Sequence, residues 1–138
     1  MENIKHLKEH VDKIEDAKTM ILGNWSRNEA VKNILSHHKM NIQVFLVRYA
    51  SEIFDYYIGV VKGSEEIGDC PVMSNFLDYL KDNEIKTSEL FLICTNFRRA
   101  MLDELFDKNE LNKYLFDEIS YVFDQNFSGV LDEYERRK

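Results

Sequence analysis

Apolar residues recur at three- and four-residue spacing along nearly the whole chain, and no run alternates apolar with polar positions between turn signals. Side chains three and four apart share one face of an α-helix, whereas a half-buried strand repeats every second residue. Glycine and proline, the residues that most sharply punctuate a chain, number only five and one. The pattern predicts an all-α fold.

The first helix carries Ile4, Leu7, Val11, Ile14 and Ile21, a seam broken by Lys18 at its fifth position. A stripe that narrow suits packing on one partner helix, so residues 1–25 read as an N-terminal helix serving as a packing or dimerisation arm. Gly23 and Asn24 are expected to end it. Ser26-Arg27-Asn28-Glu29 fits a capping box that opens a short second helix, with Ala30, Val31, Ile34 and Leu35 on its apolar face.

The third helix is expected from about Lys39 to Val61. On a helical wheel its polar residues Asn41, Arg48, Ser51, Glu52 and Asp55 fall in one narrow stripe. The remainder, Phe45, Tyr49, Phe54, Tyr56 and Tyr57 among it, is apolar or aromatic, so this helix should be buried on several sides. KGSEEIGDC follows as the clear loop. Asp69-Cys70-Pro71 reads as a helix start with proline at the first helical position, leading into Val72, Met73, Phe76, Leu77 and Leu80. Thr87 or Ser88 is placed to cap a fifth helix that runs to about Phe106. A long last helix from about Glu110 carries Leu115, Ile119, Val122, Phe123, Phe127, Val130 and Tyr134. It runs out in Glu135-Arg136-Arg137-Lys138 with no glycine stop, which points to a polypeptide continuing past Lys138. The expectation is one domain over residues 1–138, a bundle of about six helices with a long central and a long C-terminal helix.

The net charge of −7 is spread along the chain, and no basic stripe of the kind that tracks a phosphate backbone is visible. Acidity also weakens attraction to anionic membranes, and no apolar run approaches the roughly 18 residues of a membrane span. The N-terminus MENIKHLKEH is too charged for a secretory leader. Neither a nucleic-acid nor a membrane partner is expected. Cys70 and Cys94, the only cysteines, suit a reduced pair in a cytoplasmic protein.

Candidate chemistry is sparse. In ELFLICTNFRRAML, Leu90, Ile93, Cys94, Phe97, Ala100, Met101 and Leu105 form an apolar arc. Arg98 falls in that arc between Leu105 and Phe91, while Arg99 falls beside Asp103 on the polar side. An inward guanidinium needs a carboxylate, carbonyls or an anionic ligand, so Arg98 is a structural ion pair or a snorkelling side chain, or else an anion-binding or switch residue. Asn126 sits among Val122, Ile119 and Val130, where an asparagine can fix pairing register in a dimer seam or serve as a hydrogen-bonded core amide.

His6-Leu-Lys-Glu-His10 formally matches an inverted zinc-protease motif, but at the terminus two solvent-facing histidines are the simpler reading. His37 and His38 complement the dipole at the end of the second helix. Cys94 should be an inert core thiol. Cys70, before Pro71 at a helix start, is a candidate redox switch because a helix dipole lowers a thiol's pKa. No Ser/His/Asp set, phosphate loop or acidic metal cage appears, and no catalysis or cofactor is expected.

The segments Phe76-Leu77-Asp78-Tyr79-Leu80, Asn83-Glu84-Ile85-Lys86-Thr87-Ser88-Glu89-Leu90 and Phe97-Arg98-Arg99-Ala100-Met101-Leu102, with a final helix ending near Tyr134, form a larger pattern. Over about residues 40–134 it resembles the non-haem globin amino-terminal sensor domains of bacterial stressosome-type proteins. The resemblance rests on helix lengths and spacing. It implies a globin-like all-α fold, a homodimer built largely from terminal helices, and non-catalytic signal input passed through the last helix to an output domain or partner. Every histidine lies at or before residue 38, so the proximal histidine of a haem globin is missing. The alternative is a small-molecule or cofactor carrier with an internal pocket near Arg98.

Overall fold

The computed structural model describes residues 4–137, and among them every regular element is helical. The order is α1 (Lys5–Asp16), α2 (Lys18–Arg27), α3 (Glu29–His37), a single turn α4 (Ile42–Val44), a π-helical segment (Phe45–Ala50), α5 (Ser51–Lys62), α6 (Met73–Asp82), α7 (Thr87–Asp107), α8 (Lys113–Phe127) and α9 (Val130–Arg136). The fold is an all-α bundle. Among the described residues, no helix is long and apolar enough to cross a membrane.

From Ile53 to Val61, Asp55 alone escapes burial on α5. Such a helix must be walled on nearly every side, and α1, α2 and α8 all pack against it. α7 is the second organiser, in contact with α2, α3, α8 and α9.

The N-terminal seam serves this chain's own core. Ile4, Leu7, Val11, Ile14, Ala17, Ile21 and Trp25 are all buried, and α1 lies against both α5 and α8. Ala17, three residues beyond Ile14, continues the stripe, and Lys18 merely flanks it. The helix also passes through Gly23 and Asn24 to Arg27, so the expected stop there is wrong. Asn28, not Ser26, caps α3: its Oδ1 accepts the N–H groups of Ala30 and Val31. Ser26 is buried inside α2.

The first turn of α1 has no side-chain cap of its own. Glu118 of α8 supplies one across the structure, accepting the Leu7 N–H at 2.8 Å with one oxygen and engaging His6 Nδ1 at 2.7 Å with the other. His6 also stacks on Tyr114, and His10 Nδ1 lies near the His6 carbonyl. One imidazole of the H-x-x-E-H pair is therefore held by Glu118. His38 likewise meets Glu89 at 3.0 Å, a specific partner beyond the helix dipole.

Three helices close through residues other than glycine. Lys39, Glu84 and Asn109 have φ of 57°, 62° and 57°, and the next N–H in each case bonds a carbonyl five residues back: Met40 to Leu35, Ile85 to Leu80, Glu110 to Leu105. This left-handed closure ties off orphan carbonyls, a task that glycine performs at lower steric cost. The predicted single central helix contains the π-helical segment, which leaves Val47 66% exposed while Phe45, Tyr49 and Ala50 are buried. The predicted long C-terminal helix is two helices, broken at Ser128-Gly129. Arg137 turns extended after α9, and its guanidinium binds Asp78, Ser74 and Glu133.

Trp25 is 1% exposed, packs between Phe45 and Phe97, and donates its indole N–H to the Ile93 carbonyl at 2.7 Å. Trp25→Ala should cost about 3–5 kcal/mol in urea unfolding followed by far-ultraviolet circular dichroism. A loss under about 1 kcal/mol would show that the α2–α7 junction repacks easily. At exposed Glu84, replacement by glycine relieves the left-handed backbone and should stabilise by up to about 1 kcal/mol. A lowered melting temperature in Glu84→Gly would contradict that reading.

Candidate functional site

Beneath the 63–72 loop lies an apolar cavity of about 90 Å³. α5 contributes Ile53, Tyr56 and Tyr57, and α7 contributes Cys94 and Phe97. The end of α8 adds Phe123, Asn126 and Phe127, and Val130 begins α9 on the same wall. Trp25, Met73, Cys70 and Gly68 complete it.

The loop forms because α5 ends where Gly63 takes a left-handed φ of 90°. The chain then folds back over Gly59, whose carbonyl accepts the N–H groups of Ser64 and Glu65. A Cβ at Gly59 would stand 2.5 Å from Glu65 Cγ, so the bare backbone there admits the close approach.

Beyond this point the loop is clipped by two side chains. The Tyr56 hydroxyl accepts the Asp69 N–H at 3.0 Å and lies within donating reach of the Glu66 carbonyl and of Asn126 Oδ1. Asn126 Oδ1 also accepts the Gly68 N–H at 2.9 Å, while its Nδ2 donates to the Val122 carbonyl. Burial pushes the Tyr56 phenol above its ordinary pKa, so it remains a neutral donor and acceptor. Tyr57, shifted further in the same direction by burial, donates to the Ile119 carbonyl at 3.0 Å.

The sequence leaves Asn126 either a register residue of a dimer seam or a hydrogen-bonded core amide. Its amide makes these bonds inside the chain, because it projects from the last turn of α8 toward α5 and the loop. Arg98 was expected to point inward, and it does not. The buried arc of α7 ends at Leu105, and Phe91 on the far side of Arg98 is 47% exposed. The guanidinium lies over the Phe123 ring, 5.2 Å from its centroid, and meets Asp124 at 3.5 Å near the surface. It is a partly exposed ion pair, worth at most about 1 kcal/mol, and it does not line the cavity. Arg99 pairs with Asp103 on the exposed face, as the wheel predicts.

Cys70 also departs from expectation. α6 begins at Met73, two residues beyond Pro71, so Cys70 lies outside the helix in a turn whose carbonyl accepts the Met73 N–H. Burial pushes its thiol up, helped by Glu65 and Glu52, and the nearby N–H groups of Val72 and Met73 do not offset this. Cys94 is pushed up to about 12 by burial alone. Burial thus favours the neutral thiol at both cysteines of the cavity wall, the opposite of the helix-dipole effect expected at Cys70.

Trp25, Tyr56 and Gly68 were missed as site residues. Trp25, the only tryptophan, continues the Ile21 stripe at four residues' distance, and the supposed stop at Gly23 hid it. Tyr56 carried no sequence signal separating it from the other aromatics of its helix.

Tyr56→Phe removes both the acceptor for Asp69 and the donor to the loop. It should cost about 1–2 kcal/mol and speed amide exchange over residues 64–70, with α1 unaffected. If exchange at Gly68 and Asp69 stays at the wild-type rate, the hydroxyl is not what holds the loop.

Comparison with family models, with curated proteins and with solved structures finds no match to this chain.

Proposed function

We propose that this chain is a non-catalytic sensory or regulatory domain in which occupancy of the cavity biases how α9 sits on the bundle. The observation that carries this reading is the position of the cavity wall: Phe127 and Val130, on either side of the Ser128-Gly129 break, both line it. A guest that prefers one seating of α9 shifts the population toward that seating, and only its differential affinity sets how far. The last helix then carries the change to an output domain or partner. The resemblance to stressosome-type sensor domains supports the same direction of signal flow. Two free thiols fit a cytoplasmic setting.

The reading includes a homodimer. The α7–α8 face suits a second copy, since Leu92, Phe106 and Phe116 remain exposed there with Arg99 and Asp103 among them. One face carrying both charges is self-complementary about a two-fold axis. A simple carrier would use the cavity without the hinge, so the response of α9 separates the two readings.

Met73 is half-buried on the cavity wall, and Met73→Trp introduces a larger ring there. Hydrogen exchange by mass spectrometry should show altered protection of residues 130–136 in this variant, with α1 unchanged. Unaltered exchange in α9 would sink the sensory reading in favour of a carrier. In sedimentation, the wild type should dimerise and Phe106→Glu should not; a wild type that stays monomeric at high concentration removes the dimer.

A further inference from the structure

From the wall chemistry we infer that the cavity's ligand is a small, uncharged, apolar molecule, between a xenon atom and a short hydrocarbon in size. This rests on the proposed reading only in taking the cavity to be the input site.

Size sets the first bound. A cavity of 150 Å³ lined by aliphatic and aromatic side chains takes benzene or xenon, and this one is about 90 Å³. A six-membered ring is therefore at or above the limit, while gases and chains of a few carbons fit.

Hydrogen-bonding capacity sets the second. Trp25 Nε1 is committed to the Ile93 carbonyl and the Tyr57 hydroxyl to the Ile119 carbonyl. The Tyr56 hydroxyl and Asn126 Oδ1 are engaged by the loop backbone, and Asn126 Nδ2 donates to the Val122 carbonyl. A polar guest would leave its hydration without recovering equivalent bonds, which is unfavourable in such a site. Water, which needs two to four polar partners, is poorly held for the same reason.

Charge sets the third. No Lys, Arg, Asp or Glu lines the cavity. The nearby cation Arg98 is turned outward onto Phe123 and Asp124. Neither an acidic nor a basic ligand finds a counter-charge, and the buried Cys94 thiol offers neutral, polarisable sulfur. Entry is beside exposed Gly68 and half-buried Phe127, where the wall meets solvent.

The probe is xenon, applied under pressure to the isotopically labelled whole chain, with propane and propionate as comparators. Expected are saturable NMR shifts from xenon and propane at Ile53, Cys94 and Val130, and none there from propionate. Met73→Trp and Cys94→Met should abolish the saturable response. Shifts that scatter over the surface, persist in both filled variants, or are stronger with propionate overturn the inference. Should either variant fail to fold, the wild-type contrast between propane and propionate decides alone. Saturable xenon binding without any change in α9 exchange would uphold the ligand class while refuting the sensory reading. Absent xenon binding would refute the ligand class irrespective of how α9 behaves.

Discussion

The rest of the structure depends on covering α5. A helix that is apolar around almost its whole circumference cannot stand at a surface, since each exposed large side chain forgoes about 1.5–3 kcal/mol of burial. α1, α2 and α8 supply helical walls. Beyond Gly63 the cover becomes a loop, and a loop has no regular face of side chains to interdigitate with the helix. The cavity lies at that change from helical to irregular wall. Its existence follows from how the chain chose to cover its central helix.

A loop laid over a core has no ladder of its own to pair its backbone N–H and carbonyl groups, so side chains must supply partners. Tyr56 and Asn126 meet that need at Glu66, Gly68 and Asp69 with side chains from two different helices. The same device recurs elsewhere. Glu118 caps α1 from α8, Trp25 bonds the α7 backbone, and Tyr134 donates to the Ile85 carbonyl at 2.6 Å from α9. Each joins elements distant in sequence, and each spends a buried polar group on a backbone group whose neglect would cost about 1–3 kcal/mol. Among the described residues, Ser120 Oγ is the buried side-chain polar atom left unpartnered, and the structure offers no account of it.

The helical class and the burial of α5 were legible because both follow from periodicity. Helix ends were less so. The chain closes α3, α6 and α7 with Lys39, Glu84 and Asn109 in the left-handed region, where glycine would have announced the stop, and it runs α2 straight through Gly23. Glycine was therefore misleading at one point and missing at three. The π-helical segment left no mark, because its residues satisfy an ordinary helical pattern. Arg98 failed for a different reason. A wheel gives direction but not where the neighbouring helix leaves an opening, and beside α8 the guanidinium lies over Phe123 and reaches Asp124 near the surface. Asn126 was rightly singled out as a polar group amid apolar neighbours, yet the sequence could not say that its partners lie in a loop nearly 60 positions earlier.

Asn126 is also where the two halves of the site meet. Its amide oxygen holds the loop through Gly68 and Tyr56, its nitrogen holds the last turn of α8 through Val122, and the break at Ser128-Gly129 follows at once. A guest that lifts the loop weakens the bonds on the oxygen, and one that thickens the wall at Phe127 or Val130 strains the turn the nitrogen stabilises. In the sensory reading proposed above, both disturbances reach one side chain immediately before the break at Ser128-Gly129. Energetic coupling between a cavity and a helix end needs an element with two arrangements that both sites bias. The proposed reading needs such an element in the segment from Asn126 to Val130, where α8 gives way to α9 against the cavity wall.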